Sequence, residues 1–124
     1  MFVSGSARKP ATVLVVGHES MLRESYAMLF QQAGYVAEEA EVDQSPRRLK
    51  SGTFALLVMD HTLSKEERES LVILTRQLSP NAKTVALHSS ASDCGADLAM
   101  DSREGAEEIL KRVGELFSGY SSTH

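Results

Sequence analysis

An unbroken apolar run, FALLVM at residues 54–59, most constrains what this chain can fold into. The run is far too short to span a membrane, and its side chains would lie on both faces of an extended strand. A strand that is apolar on both faces indicates a central position in a sheet with helices on either side. The run ends in Asp60, so the sequence predicts an acidic side chain at the end of a central strand.

Strand-like runs alternate with helical patterns along the rest of the chain. A first strand is predicted at residues 12–16, and a helix follows at residues 20–33 because apolar residues recur there at helical spacing. The later predictions are an edge strand at 35–40, a helix at 45–52, a helix from about 64 to 79, a strand at 84–88, a weak strand at 97–100 and a last helix. This alternation predicts an α/β fold with a mostly parallel sheet.

Short polar signals predict where the helices begin and end. Ser20 and Ser45 are predicted N-caps, and Gly34 is predicted to end the first helix in a left-handed conformation. Ser64 and Glu67 have the spacing of a capping box. Asp101 and Glu104 are predicted to cap the last helix.

The carboxyl ends of parallel strands meet at one rim of a sheet, and ligands commonly bind there. The sequence delivers several polar or glycine residues to that rim: Gly17, His18, Glu19, Asp60, His61, His88, Ser89, Asp101 and Ser102. We therefore expect the functional site at this rim.

Bulk composition excludes several classes of protein. The 124 residues suit one domain, with a loose arm at 1–10, a domain at 11–117 and a flexible tail at 118–124. The net charge of −4 argues against a nucleic-acid binder. Cys94 is the only cysteine, which excludes an internal disulfide, and no apolar run reaches the length of a membrane span. We predict a cytoplasmic protein.

Three segments together resemble the receiver domain of two-component response regulators. TVLVVGHESMLRESYAMLFQQAGY, FALLVMDHTLS and GADLAMDSREGAEEIL lie along that family's first strand and helix, its third strand, and its fifth strand and last helix. The resemblance covers residues 11–117. It implies a flavodoxin-like three-layer αβα fold with a parallel five-stranded sheet in the order 2-1-3-4-5, and Asp60 as the phosphoacceptor.

The sequence departs from the family pattern around Asp60. Receivers usually carry two acids after the first strand, where this chain has Gly17 and His18, although Glu19 matches a common acidic position. They carry a lysine after the fifth strand, where this chain has Ser102. The hydroxyl residue after the fourth strand falls at His88, or at Ser89 if the alignment shifts by one residue.

These losses bear directly on phosphoryl transfer. Carboxylate and phosphoryl oxygens are both negative, and two unit charges 4 Å apart repel by about 4 kcal/mol at an effective dielectric near 20. In receivers a bound Mg²⁺ and the lysine offset that repulsion. We therefore predict weak or absent Mg²⁺ binding, no cofactor and no enzymatic activity.

Three functions stay open at this point. The leading one is a stand-alone, divergent pseudo-receiver in a phosphorelay that acts through contacts with a sensor kinase or a downstream protein. The second is a working phosphoacceptor at Asp60. The third is a small metal-binding protein that uses His18, Asp60 and His88, because imidazole and carboxylate suit transition metals. Protonated His18 is also predicted to substitute in part for the missing cation beside Asp60.

A short connection precedes the fifth strand. Residues 89–96, SSASDCGA, lack helical periodicity and are too few for a normal parallel crossover. We predict that the family's fourth helix is missing, or that the fifth strand is displaced or irregularly paired. A missing helix would uncover apolar sheet surface near Val85, Leu87 and Leu98, which predicts a homodimer or an obligate partner there.

Overall fold

The computed structural model describes residues 11–87 and 95–118, without the side chains of Ser102 and Ser118. The strands are β1 (Thr12–Val16), β2 (Val36–Ala40), β3 (Leu56–Met59), β4 (Lys83–Leu87) and β5 (Leu98–Met100). The α-helices are α1 (Ser20–Gln32), α2 (Ser45–Ser51), α3 (Lys65–Leu78) and α4 (Ala106–Ser118), with a 3-10 turn at Ser102–Glu104. The predicted arm at 1–10, most of the tail at 118–124, and His88, Ser89 and Cys94 lie outside the described residues.

The strands form one parallel sheet in the order β2-β1-β3-β4-β5. Each residue of β3 is buried, which confirms the central strand predicted from the apolar run. The predicted α/β class, the strand order and the three-layer arrangement are therefore confirmed.

Helices cover both faces of the sheet because side chains alternate along each strand. On one face, Val13, Val15 and Val58 pack with Phe30 of α1 and Ile109 of α4. On the other face, the core is formed by alternate strand residues together with α2 and α3; its members include Leu14, Val16, Leu57, Met59, Leu49, Leu71 and Val72.

The helix ends agree only in part with the polar signals. Gly34 has a φ of 101° after α1, and Ser64 and Glu67 form the predicted capping box. Ser20 is wrong as a cap, because Glu19 is the N-cap residue and makes no side-chain cap bond. Ser45 is the first residue of α2, and its hydroxyl donates backwards to the carbonyl oxygen of Val42 at 2.6 Å.

The predicted caps of the last helix belong to a separate turn. Asp101 caps the 3-10 turn by accepting a hydrogen bond from the backbone N–H of Arg103 at 2.9 Å. Glu104 lies inside that turn, and Gly105, with a φ of 98°, separates it from α4. The positive φ of Gly105 lets the chain change direction between the 3-10 turn and α4.

Strand β5 pairs regularly with β4, so the predicted alternative of a displaced strand is wrong. The register pairs Val85 with Leu98 and Leu87 with Met100. The residues described between the two strands, 95–97, are not helical, and the described residues hold four α-helices. The predicted stretched connection at 89–96 falls mostly on residues that are not described.

The predicted exposed surface near Val85, Leu87 and Leu98 is wrong. All three side chains are buried, and they pack in the core cluster that α1 and α4 help to form. The reason is the two-residue alternation of the strand, which turns these side chains away from the α3 face. The α3 face of the same strand pair carries the smaller Ala86 and Ala99.

Hydrogen bonds of Asp97 connect the start of β5 to β4. Its Oδ2 accepts hydrogen bonds from the backbone N–H of Thr84 at 2.8 Å and from the Thr84 hydroxyl at 3.1 Å. The backbone N–H of Asp97 donates to the same hydroxyl at 3.0 Å, and Arg76 lies 3.5 Å from Asp97 Oδ1. These bonds set the register of a three-residue strand that has few ladder hydrogen bonds of its own.

Among the described residues, no helix combines the length and the apolar character needed to cross a membrane.

Candidate functional site

The site is built where two neighbouring parallel strands end. Val16 of β1 pairs with Met59 of β3, and the backbone N–H of Asp60 donates to the carbonyl oxygen of Val16 at 3.1 Å. Gly17 and Asp60 therefore follow adjacent strands side by side, as the sequence predicted. The rim brings the two positions together.

The Asp60 side chain is turned inward and is wholly buried. Its Oδ1 accepts hydrogen bonds from the backbone N–H of Thr62 at 2.9 Å and from the Thr62 hydroxyl at 2.5 Å. Its Oδ2 has no hydrogen-bond partner among the described residues. The carboxylate is thus held by its own loop and presents no oxygen to solvent.

Gly17 leaves the space that this carboxylate occupies. A Cβ atom built on Gly17 would lie 1.9 Å from Asp60 Oδ2 and 2.5 Å from its Cγ. No real side chain can approach that closely, so the observed position of Asp60 requires glycine at position 17. An acid at this position, as receivers usually carry, is incompatible with the inward carboxylate.

His18 connects the β1–α1 loop to the start of α3. Its backbone N–H donates to the Thr62 hydroxyl oxygen at 2.9 Å, and its Nε2 lies 2.9 Å from Glu67 Oε1. The His18 side chain is 48% exposed. The His18 ring pairs with Glu67 at the start of α3, and no described contact joins it to Asp60.

Glu67 serves the helix cap and His18 at the same time. Its Oε1 accepts a hydrogen bond from the backbone N–H of Ser64 at 2.8 Å. This bond is the main reason why the pKa of Glu67 is lowered, and the contact with His18 lowers that pKa further. Burial acts in the opposite direction but does not prevail. Glu67 is therefore a charged acceptor at neutral pH.

Two buried arginines hold the loops on either side of Asp60. Arg23 Nη1 donates to the carbonyl oxygen of Gly17 at 2.8 Å, and Arg68 Nη1 donates to that of Leu63 at 2.7 Å. Neither guanidinium makes a hydrogen bond or ion pair with Asp60 among the contacts of the described residues; Arg23 lies 3.6 Å from Glu39. Sequence reasoning missed both, although Arg23 falls on the inner face of α1 with Ala27 and Phe30.

Glu19 and His61 make no hydrogen bond with Asp60 in the part of the chain that the structure describes. Glu19 and His61 are exposed, and Ser102 opens the 3-10 turn. Arg103, which follows it, pairs with Asp101 at 2.6 Å. His88 and Ser89 lie outside the described residues.

The described residues do not assemble the predicted metal site. In the ranges 11–87 and 95–118, no group of three histidine, cysteine or acidic side chains is placed to hold a metal ion. Asp60 bonds Thr62 while His18 bonds Glu67, so these two candidates face different partners. His88, the third candidate, lies outside the description.

A cleft of about 810 Å³ opens at the opposite end of the sheet. Its lining includes Thr12, Leu49, Phe54, Leu78 and Pro80, near the amino ends of the strands. None of its lining residues is a predicted site residue, so this cleft does not belong to the Asp60 rim.

No protein-family model matches the sequence, and no curated protein matches it. Solved structures do resemble the fold. A response regulator receiver domain protein (CheY-like) from Methanospirillum hungatei JF-1 superposes with a TM-score of 0.72 at 18% identity, covering 90% of this chain and 96% of that one. A chain in the complex of histidine kinase ThkA with response regulator protein TrrA gives 0.69 at 22% identity, covering 86% and 97%.

A third neighbour is a response regulator protein from Burkholderia pseudomallei with a phosphorylated aspartic acid, a calcium ion and citrate. Its TM-score is 0.70 at 22% identity, and the match covers 81% of this chain and 64% of that one. The identities are low, so the likeness concerns the fold. The chain has the fold of response regulator receiver domains, with Asp60 turned inward at the rim of its sheet.

Proposed function

We propose that this chain is a receiver-like domain of phosphorelay signalling that acts through contacts with other proteins while Asp60 remains unmodified. The fold supports the signalling class. The inward position of Asp60 against Gly17 supports the absence of modification, because a phosphodonor must reach a carboxylate oxygen in line with its leaving group.

The surroundings of Asp60 also support the proposal of weak or absent Mg²⁺ binding. Mg²⁺ prefers octahedral oxygen ligands and is usually bound through one or two carboxylates. Gly17 and His18 offer no carboxylate, and Asp60 Oδ1 is already occupied by the two Thr62 donors. Asp60 Oδ2 has no hydrogen-bond partner among the described residues, but it is buried against Gly17, so a metal would reach it only if the loop opened.

Exposed apolar side chains support a role in protein contacts. Met21 and Met28 lie seven residues apart on α1 and are 79% and 51% exposed, and Ile73 on α3 is 59% exposed. Residues seven apart share one face of a helix. The proposed partner is a sensor kinase or a downstream protein. The cytoplasmic location and the homodimer remain predictions. Light scattering at high micromolar concentration tests the homodimer.

Intact-mass measurement after incubation with acetyl phosphate and Mg²⁺ tests the proposal. We expect no phosphate-sized increase in mass, whereas a receiver that keeps both acids after its first strand should show one in parallel. An increase that Asp60→Asn abolishes would establish the working phosphoacceptor instead. Elemental analysis of untagged protein tests the metal-binding alternative, and a stoichiometric transition metal would support it.

A further inference from the structure

His18 is an exposed rim side chain whose ring is held in place. Its backbone is fixed by Thr62, and its Nε2 is fixed by Glu67 Oε1 at 2.9 Å. Glu67 is itself fixed by the capping box at the start of α3. The ring therefore has a defined orientation, although 48% of the side chain is open to solvent.

The Glu67 contact determines which ring nitrogen is nucleophilic. An ionised carboxylate only accepts hydrogen bonds, so the hydrogen of the neutral imidazole lies on Nε2. Nδ1 then carries the lone pair. Nδ1 makes no hydrogen bond within the part of the chain that the structure describes.

We propose that His18 Nδ1 is a phosphoryl-accepting site for phosphoramidates, donors whose phosphorus carries an amino leaving group. This site goes beyond the proposed function, since it assigns phosphoryl chemistry to a different side chain. Asp60 is wholly buried, while His18 combines solvent access with a carboxylate partner, a combination that His61, the other histidine in the described part of the rim, does not show.

The transfer balances without a metal or a further reactant. The Nδ1 lone pair forms an N–P bond while the P–N bond of the donor, H₃N⁺–PO₃²⁻, breaks. The bonding electrons leave on the donor nitrogen, which departs as neutral ammonia. The ring retains its Nε2 hydrogen and gains a positive charge, so the product is a phosphorylated imidazolium.

Glu67 is a positioning residue for this step. It favours the Nε2–H form, and its negative charge stabilises the positive charge that develops on the ring as the N–P bond forms. His61 lies near the same rim and is also exposed, but the contacts of the described residues give it no carboxylate partner. His61 is therefore an internal control for reactivity without a partner.

The test is a time course with potassium phosphoramidate on the full chain, followed by trypsin digestion at neutral pH and peptide mass analysis. Tryptic cleavage places His18 in residues 9–23 and His61 in residues 51–65. Residues 51–65 also contain Asp60, so the His61 rate is measured in Asp60→Asn as well, where that peptide has no side-chain carboxylate to carry an acyl phosphate. We expect His18 to be labelled about fivefold faster than His61, a ratio that corresponds to about 1 kcal/mol for an exposed charge pair.

Glu67→Gln separates charge from structure, because glutamine also completes a capping box at this position. We expect this variant to lower the His18 rate to that of His61 while the His61 rate stays unchanged. Nitrogen-15 NMR of the labelled wild-type chain should place the phosphoryl group on Nδ1. Equal rates at the two histidines in the wild-type chain, or attachment at Nε2 of His18, would overturn the proposal without any variant.

Discussion

Asp60 and Asp97 are two carboxylates on the same sheet with opposite relations to their surroundings. Asp97 is partly exposed, and its oxygens receive two hydrogen bonds from Thr84 and the charge of Arg76. Asp60 is wholly buried, has one oxygen without a partner, and is not paired with a cation among the described residues. The acid at the rim is therefore bonded within its own loop, whereas the acid at the start of β5 joins two strands.

The two acids also differ in their position on the receiver-type fold. Asp60 follows the central strand β3, yet it is buried against Gly17 and is hydrogen-bonded within its own loop. Asp97 has no predicted chemical role, yet it fixes the strand that follows a short connection. Substitutions at each acid and at the residues that contact it test this difference.

Gly17→Ala should produce the largest effect. The added Cβ would meet Asp60 Oδ2 at 1.9 Å, so the carboxylate or the loop must move, and we expect a loss of about 3 kcal/mol in the free energy of unfolding. Urea denaturation measures it. Adding Asp60→Ala removes the atoms in the way and should restore most of the loss.

Gly114→Ala is the matched control for that change. It places the same methyl group on α4, where nothing lies within 4 Å, and should gain up to about 1 kcal/mol through helix propensity. An unchanged stability in Gly17→Ala would show that Asp60 does not occupy the space beside Gly17.

Asp97→Ala should cost about 2 kcal/mol, because the N–H and hydroxyl of Thr84 would lose their acceptor. The rate of hydrogen exchange at the Thr84 amide should rise by the factor that corresponds to the same free energy. Asp43→Ala removes an exposed acid elsewhere and serves as the control. Retained protection of the Thr84 amide would contradict the assigned role of Asp97.

Asp60→Asn should act in the opposite direction, with a gain of about 1 kcal/mol in the free energy of unfolding. The amide oxygen can keep both Thr62 hydrogen bonds, and we expect the relief from burying a charge without a cation among the described residues to exceed the cost of an amide N–H group with no acceptor there. Thermal and urea denaturation measure the gain. A loss of stability would mean that a cation or donor supports the Asp60 carboxylate in solution.

The sequence predicted the elements and the position of Asp60 because local patterns carry that information. The apolar run at 54–59, the capping box of Ser64 and Glu67, and the positive φ of Gly34 follow from periodicity and backbone preference alone. The lack of acids at positions 17 and 18 is also visible in the sequence. The consequence for Asp60 was not visible, because the direction of a carboxylate depends on the packing of adjacent strands.

Longer-range pairings were beyond sequence reasoning for the same reason. The bonds between Thr84 and Asp97 depend on the register of two strands, and the pairing of His18 with Glu67 depends on where α3 begins relative to β1. The sequence predicts that side chains alternate between the two faces of a strand, but it does not predict which helices cover the face that carries Val85 and Leu98. These assignments required the three-dimensional structure.

Glu67→Gln should produce the smallest change in the free energy of unfolding, and this change should depend on pH. The pKa of Glu67 is lowered in the folded chain, so the charged form contributes stability that is present above its ordinary value of 4.5 and is lost as the pH falls through the folded pKa. Relative to wild type, the variant should be less stable by about 0.5 kcal/mol at pH 7, a difference that shrinks below pH 4.5. Glu66→Gln, in the same first turn of α3, measures the helix-dipole share alone. If the two variants behave alike at every pH, the His18 contact adds nothing to stability, and the ring is positioned without energetic consequence for the fold.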